Sequence, residues 1–159
     1  RRLMRFAGGK LGVEAERGGI ATGLCNDMVV DAHGRAYVGN FGFDRHAGEA
    51  PRPAVLARVD SDGSVHAAAN ELMFPNGTVI TPDGKTMIIA ETFAKRLTAF
   101  DVADDGTLSN RRVWAETATC NPDGICLDAE GAIWVTGAFT HHMIRVLEGG
   151  RVTHDMDLG

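Results

Sequence analysis

A chain of 159 residues, 44% apolar and 23% charged, has the composition of a globular domain able to bury a core. A net charge of −5 and a pI near 5.6 argue against a nucleic-acid or anionic-membrane partner, and no run of about eighteen apolar residues offers a membrane-spanning helix. Helix-period patterning is absent, and short apolar runs separated by Gly and Asp turns point to an all-β fold.

The opening Arg1-Arg2-Leu3-Met4-Arg5-Phe6 is neither an initiator methionine nor a signal peptide, because no apolar segment follows it. The true start is therefore expected upstream. Residues 3–6 and 10–16 read as two strands, strands c and d of a blade occupying residues 1–20. After them an internal repeat sets in. The segments beginning at Asn26, Asn76 and Asp123 align without gaps, and each has a glycine eight positions later: Gly34, Gly84 and Gly131. The openings recur at intervals of 50 and 47 residues, within the roughly 40–50 residues of a propeller blade.

Each repeat resolves into four strands, a to d. In residues 21–70 these are 28–31, 35–39, 55–60 and 64–68. In residues 71–117 they are 78–81, 86–90, 97–102 and 111–115. In residues 118–159 they are 125–128, 132–136, 143–147 and 151–154. The Asp-Gly and Gly-Gly pairs between them are hairpin turns, since glycine tolerates positive φ. The chain is thus read as about three and a half antiparallel blades of a β-propeller, half of a ring of six, which at this period needs roughly 240–300 residues.

Propeller strands alternate in direction, so the a–b and c–d turns fall on one face and the d–a and b–c loops on the other, with strand a nearest the axis. Asn26, Asn76 and Asp123 each precede a strand a. They should occupy equivalent places around the mouth of the central channel, where amide and carboxylate oxygens suit a hard divalent cation. Taken singly, each is also an ordinary turn former. His141 and His142 fall in a b–c loop on the same face. Asn40, Asp44 and Glu91, at or after strand b, are candidates to line the pocket, although Glu91 can equally pair with Lys95 or Arg96. Trp114 and Trp134 lie in strands and are assigned to blade packing. Cys25, Cys120 and Cys126 make an odd count without zinc-site spacing. They read as reduced cysteines of a cytoplasmic protein.

Further motifs carry a family resemblance. They are Phe74-Pro75-Asn76-Gly77 with Thr81-Pro82-Asp83-Gly84-Lys85, Leu97-Thr98-Ala99-Phe100-Asp101, Leu108-Ser109-Asn110-Arg111-Arg112, and Pro122-Asp123-Gly124-Ile125-Cys126-Leu127-Asp128-Ala129-Glu130-Gly131-Ala132-Ile133-Trp134. With these the chain resembles the gluconolactonase/regucalcin (senescence-marker) family of six-bladed, metal-dependent lactonases. The resemblance implies that Asn76 and Asp123 bind one divalent metal ion, with Ca²⁺ foremost and Zn²⁺, Mg²⁺ or Mn²⁺ as alternatives. It also implies that Asp123 is the general base, that Asn26 faces the substrate, and that the partner is a small-molecule lactone.

Two departures stand out. The Glu-Gly-Pro-x-Trp motif that supplies that family's remaining ligand is not in this sequence, and Glu14 and Glu16 lack its context. Leu24 stands where several relatives carry Arg, which argues against sugar-acid lactones. The competing reading is a non-catalytic propeller that binds a ligand or partner. A strictosidine-synthase-like propeller is a third, though it should not show the Asn-Gly and Pro-Asp-Gly pair so clearly.

Overall fold

The structure is a computed structural model and describes residues 2–16 and 19–159. Arg1, Arg17 and Gly18, which belong to the first unit assigned from sequence, lie outside the described residues. Strands β1 (Arg2–Ala7) and β2 (Lys10–Glu16) pair as an antiparallel ribbon. Three four-stranded antiparallel sheets follow, each with its strands in sequence order. The first holds β3 (Cys25–Val30), β4 (Ala36–Asn40), β5 (Ala54–Val59) and β6 (Val65–Leu72). The second holds β7 (Pro75–Ile80), β8 (Thr86–Glu91), β9 (Arg96–Val102) and β10 (Leu108–Glu116). The third holds β11 (Pro122–Leu127), β12 (Ile133–Gly137), β13 (His142–Val146) and β14 (Val152–Asp157). These are blades of a propeller. β3, β7 and β11 lie side by side as the inner strands.

The hydrophobic core lies between the sheets. A strand buried on both faces sends alternate side chains in opposite directions, and β8 shows this: Met87 and Ile89 join Tyr37, Leu56 and Leu72 of the first blade. Ile88 and Ala90 of the same strand instead join Ile133, Val135, Ile144 and Val146 of the third. Trp114 is buried in that second cluster, so its assignment to blade packing is correct. Polar latches add register between blades. The Tyr37 hydroxyl donates to Gly106 O (2.9 Å), Arg35 donates to Asp104 O (2.7 Å), and the Gly149 N–H donates to Trp114 O (2.8 Å).

The a–b turn is the same in all three blades. Its closing glycine donates back to the residue three before it, Gly34 to Asp31, Gly84 to Thr81 and Gly131 to Asp128. These glycines sit at φ of 80°, 73° and 80°, a left-handed conformation that L side chains pay strain to adopt.

Strands b, c and d fall within a few residues of their expected positions. The inner strands begin three residues earlier than expected, at Cys25, Pro75 and Pro122. The extra residues are a bulge. The pairs Cys25↔Asn40 and Met28↔Val38 enclose two residues on β3 against one on β4. Pro75↔Glu91 with Thr78↔Ile89, and Pro122↔Gly137 with Ile125↔Val135, repeat the irregularity.

Candidate metal and substrate site

The bulges decide where the candidate residues point. Each inserts two residues into an inner strand opposite one partner: Asn26 and Asp27, Asn76 and Gly77, Asp123 and Gly124. A bulge bends its strand and re-aims the side chains in it. Asn26, Asn76 and Asp123 are therefore the first bulged residue of three adjacent inner strands, inside strand a rather than before it.

The loops confirm which face this is. In every blade the b–c connection bonds to the d–a connection: the Phe41 N–H to Leu24 O (2.9 Å), the Thr92 N–H to Phe74 O (3.2 Å), and the Ala138 N–H to Asn121 O (2.8 Å). Both loop types gather at the end of the ring where the three candidates sit.

Hydrogen bonds from one blade to the next orient the amides. Asn26 Nδ2 donates to Pro75 O (3.2 Å). Asn76 Nδ2 donates to Thr92 Oγ1 (3.2 Å), and the Thr92 hydroxyl in turn donates to Pro122 O (2.7 Å). Asn121 Nδ2 closes the cluster on Thr92 O (3.1 Å). With its nitrogen engaged, each amide has its carbonyl oxygen as the end left for a ligand. Asn76 is buried, whereas Asn26 and Asp123 are half-buried.

Gly77 permits the close approach. A Cβ there would fall 2.5 Å from Ile125 N and 2.6 Å from Asp123 O, so β7 and β11 meet backbone to backbone only because the position has no side chain.

Asp27 is the residue sequence reasoning missed. It is reachable from solvent, yet the surrounding protein desolvates its carboxyl, and the charge of Asp123 adds to that effect. Together they push it above the ordinary carboxylate range. A signal existed in the repeat: the second bulged position is Gly in two blades and Asp in this one.

Other candidates have different work. Asn40 is fully buried and structural: Oδ1 accepts from the N–H groups of Gly23 (3.2 Å) and Gly42 (2.9 Å), and Nδ2 donates to Val55 O (2.7 Å). Glu91 is likewise buried, bonded by Met73 N (2.7 Å), Arg96 Nε (3.0 Å), Arg111 Nη2 (3.2 Å) and the Thr98 hydroxyl. Burial alone would raise its pKa, but these donors outweigh it and hold the carboxyl low. The pairing with Arg96 is thus real, and the pocket-lining role is not. Asp44 caps its own loop, accepting from His46 N and Ala47 N. His142 lies in β13 rather than in the loop and pairs with Asp155 (2.7 Å). Trp134 is half-buried and sits over the His154 ring, 5.5 Å between centroids. No disulfide joins Cys25, Cys120 and Cys126, and burial pushes the Cys120 thiol pKa up.

Among the described residues no group of three or more His, Cys, Asp and Glu side chains converges to hold a metal ion. What the mouth does offer is oxygen: the carboxylates of Asp27 and Asp123, mutually within electrostatic reach, and the amides of Asn26 and Asn76. That donor chemistry fits a hard cation with several coordination positions left open.

Antiparallel blades with bulged inner strands presenting polar residues at the loop face define a propeller with an axial site. The chain belongs to the family described as the SMP-30/Gluconolactonase/LRE-like region, whose model matches residues 7–159. It is similar to pentonolactonase XacC of Haloferax volcanii, 30% identical over 112 residues, with 69% of this chain and 36% of the relative covered. It is similar to regucalcin of Gallus gallus, 31% identical over 137 residues, with 80% of this chain and 41% of the relative covered. The solved structure of the gluconolactonase XC5397 of Xanthomonas campestris shares the fold, with a TM-score of 0.75 at 24% identity across 96% of this chain and 54% of that one. The chain therefore spans less than half the length of these curated relatives.

Proposed function

We propose that the intact protein hydrolyses a lactone at the axial site with the help of one divalent metal ion, Ca²⁺ foremost. The observation that carries this reading is the threefold recurrence of an Asn or Asp at the same bulged position of adjacent inner strands, on the face where the d–a and b–c loops meet. Asn76 Oδ1 and the Asp123 carboxylate would hold the ion, which when bound would supply Lewis-acid polarisation of the lactone carbonyl and make nearby water more acidic.

The residues do the rest. Asp123 accepts the proton of the attacking water as the new C–O bond forms, and returns it to the ring oxygen as the ester C–O bond breaks. Asn26, its nitrogen held by Pro75 O, turns an acceptor oxygen toward a donor on the substrate. Thr92 keeps the Asn76 amide in the orientation that exposes its carbonyl oxygen. Family membership and the lactonase names of relatives support the reaction class.

The test is lactone turnover by the intact protein against metal concentration. Asp123→Asn removes both ligand charge and base and should abolish hydrolysis even at saturating metal. Asn76→Ala should be partly rescued by added metal. Undiminished turnover in Asp123→Asn would refute the assigned role.

A further inference from the structure

Five of the chain's seven phenylalanines form one continuous run of ring contacts. Phe41 stacks on Phe74 (4.5 Å between centroids, 16° between planes), Phe74 meets Phe93 (4.9 Å, 53°), and Phe93 stacks near-parallel on Phe139 (6.4 Å, 10°). Phe43 touches both Phe74 (6.0 Å) and Phe93 (6.1 Å). Four of these rings come from b–c connections, representing all three blades, and Phe74 from a d–a connection. All of them therefore stand at the loop face.

The run is tied to the polar site residue by residue. Phe74 lies two positions before Asn76. Phe93 follows Thr92, which accepts from the Asn76 amide. Phe139 follows Ala138, whose N–H bonds to Asn121, two positions before Asp123. Leu24, two positions before Asn26, accepts from the Phe41 N–H. Phe43 and Phe74 are buried and form a small core for the loops. Phe74 even holds a left-handed backbone (φ 61°), a strained conformation for a bulky residue that surrounding packing must enforce. Phe139, at the far end of the run, is the most exposed of the five rings (56%). Apolar rings gathered on the same face as a few polar groups are the composition of a small-molecule site.

We infer that this aromatic run is the specificity wall of the axial site and selects lactones bearing an apolar alkyl or aryl substituent over polyhydroxylated ones. The inference rests on the lactonase reading. An alkyl tail laid on Phe139 and Phe93 leaves water as the ester group reaches Asn26, Asn76 and Asp123. A sugar lactone would instead have to strip its hydroxyls against rings that cannot accept or donate in the plane of contact.

The test uses the intact protein and δ-lactones of increasing alkyl length, from valerolactone to decalactone, with glucono-δ-lactone for comparison. Burial of a methylene corresponds to about a fourfold gain in affinity, so kcat/KM should rise about two- to fourfold per added carbon until the wall is spanned. Phe139→Ala should flatten that slope, with the largest loss, about tenfold, on the longest chain, and Phe139→Leu should restore most of it. Leu24→Arg should shift preference toward glucono-δ-lactone. Turnover that is independent of chain length, or a slope untouched by Phe139→Ala, would overturn the inference while leaving lactone hydrolysis standing. If no lactone is turned over, calorimetric binding of the same series decides. Chain-length-dependent binding lost in Phe139→Ala would uphold the wall and sink the hydrolase reading, and binding indifferent to chain length would sink the wall as well.

Discussion

Replacing Gly77 by alanine tests the geometry of the site without touching a proposed ligand. The new Cβ would meet Ile125 N at 2.5 Å, Asp123 O at 2.6 Å and Gly124 Cα at 2.9 Å, where ordinary contact begins at about 3.5 Å. All three atoms are backbone, so no side chain can rotate away. β7 and β11 must separate by roughly 1 Å, and Asn76 moves away from Asp123 with them. Overpacking of this kind costs about 1–3 kcal/mol, equivalent to a Tm lower by roughly 2–6 °C for an intact ring of about 240–300 residues. Thermal melts and metal titrations of Gly77→Ala in the intact protein read the two effects. If Gly77→Ala melts with wild type and binds metal equally well, the close approach of the inner strands is not what builds the site.

Two further predictions concern stability and association. Glu91→Ala leaves the Met73 N–H and two arginines without their buried acceptor, and should lose about 3–5 kcal/mol of stability. Because the folded-state pKa of Glu91 is lowered, its contribution is complete above the unfolded value near 4.5 and is lost as pH falls through the folded value. The Tm gap between wild type and Glu91→Gln should therefore hold from about pH 5.5 to 8 and begin to shrink below roughly pH 4.5, and a gap that widens in acid would contradict this. Residues 1–159 produced alone should self-associate. One end exposes Phe6 (71%) and Leu11 (64%), and the other exposes Val152, Met156 and Leu158, apolar sheet surface that seeks a partner. Sedimentation as a stable monomer at tens of micromolar would count against it.

Much of the architecture was legible because the repeat fixes it. Asn26, Asn76 and Asp123 align without gaps, and the Gly34, Gly84 and Gly131 turns mark each a–b hairpin. The starts of the inner strands were not legible. A bulge adds one residue without breaking the apolar alternation that follows it, so Cys25, Pro75 and Pro122 read as loop. Asn40 was misread, and Glu91 left between a pocket and an ion pair with Lys95 or Arg96, for a related reason. Polar residues at the end of strand b suggest a pocket, and only the fold shows that the Gly23 and Gly42 amides claim one and that Met73, Arg96, Thr98 and Arg111 claim the other. The aromatic run escaped sequence reading because its members are scattered from Phe41 to Phe139, with no period that would bring them together.

If Asn76 and Asp123 share one divalent ion at the mouth of the ring, a crystal of the intact protein grown in Ca²⁺ should reveal it by anomalous scattering. A peak is expected about 2.3–2.6 Å from both Asn76 Oδ1 and an Asp123 carboxylate oxygen, lost in Asp123→Asn. A saturating Ca²⁺ concentration that leaves this position empty, or an ion bound elsewhere with lactone hydrolysis intact, would contradict it.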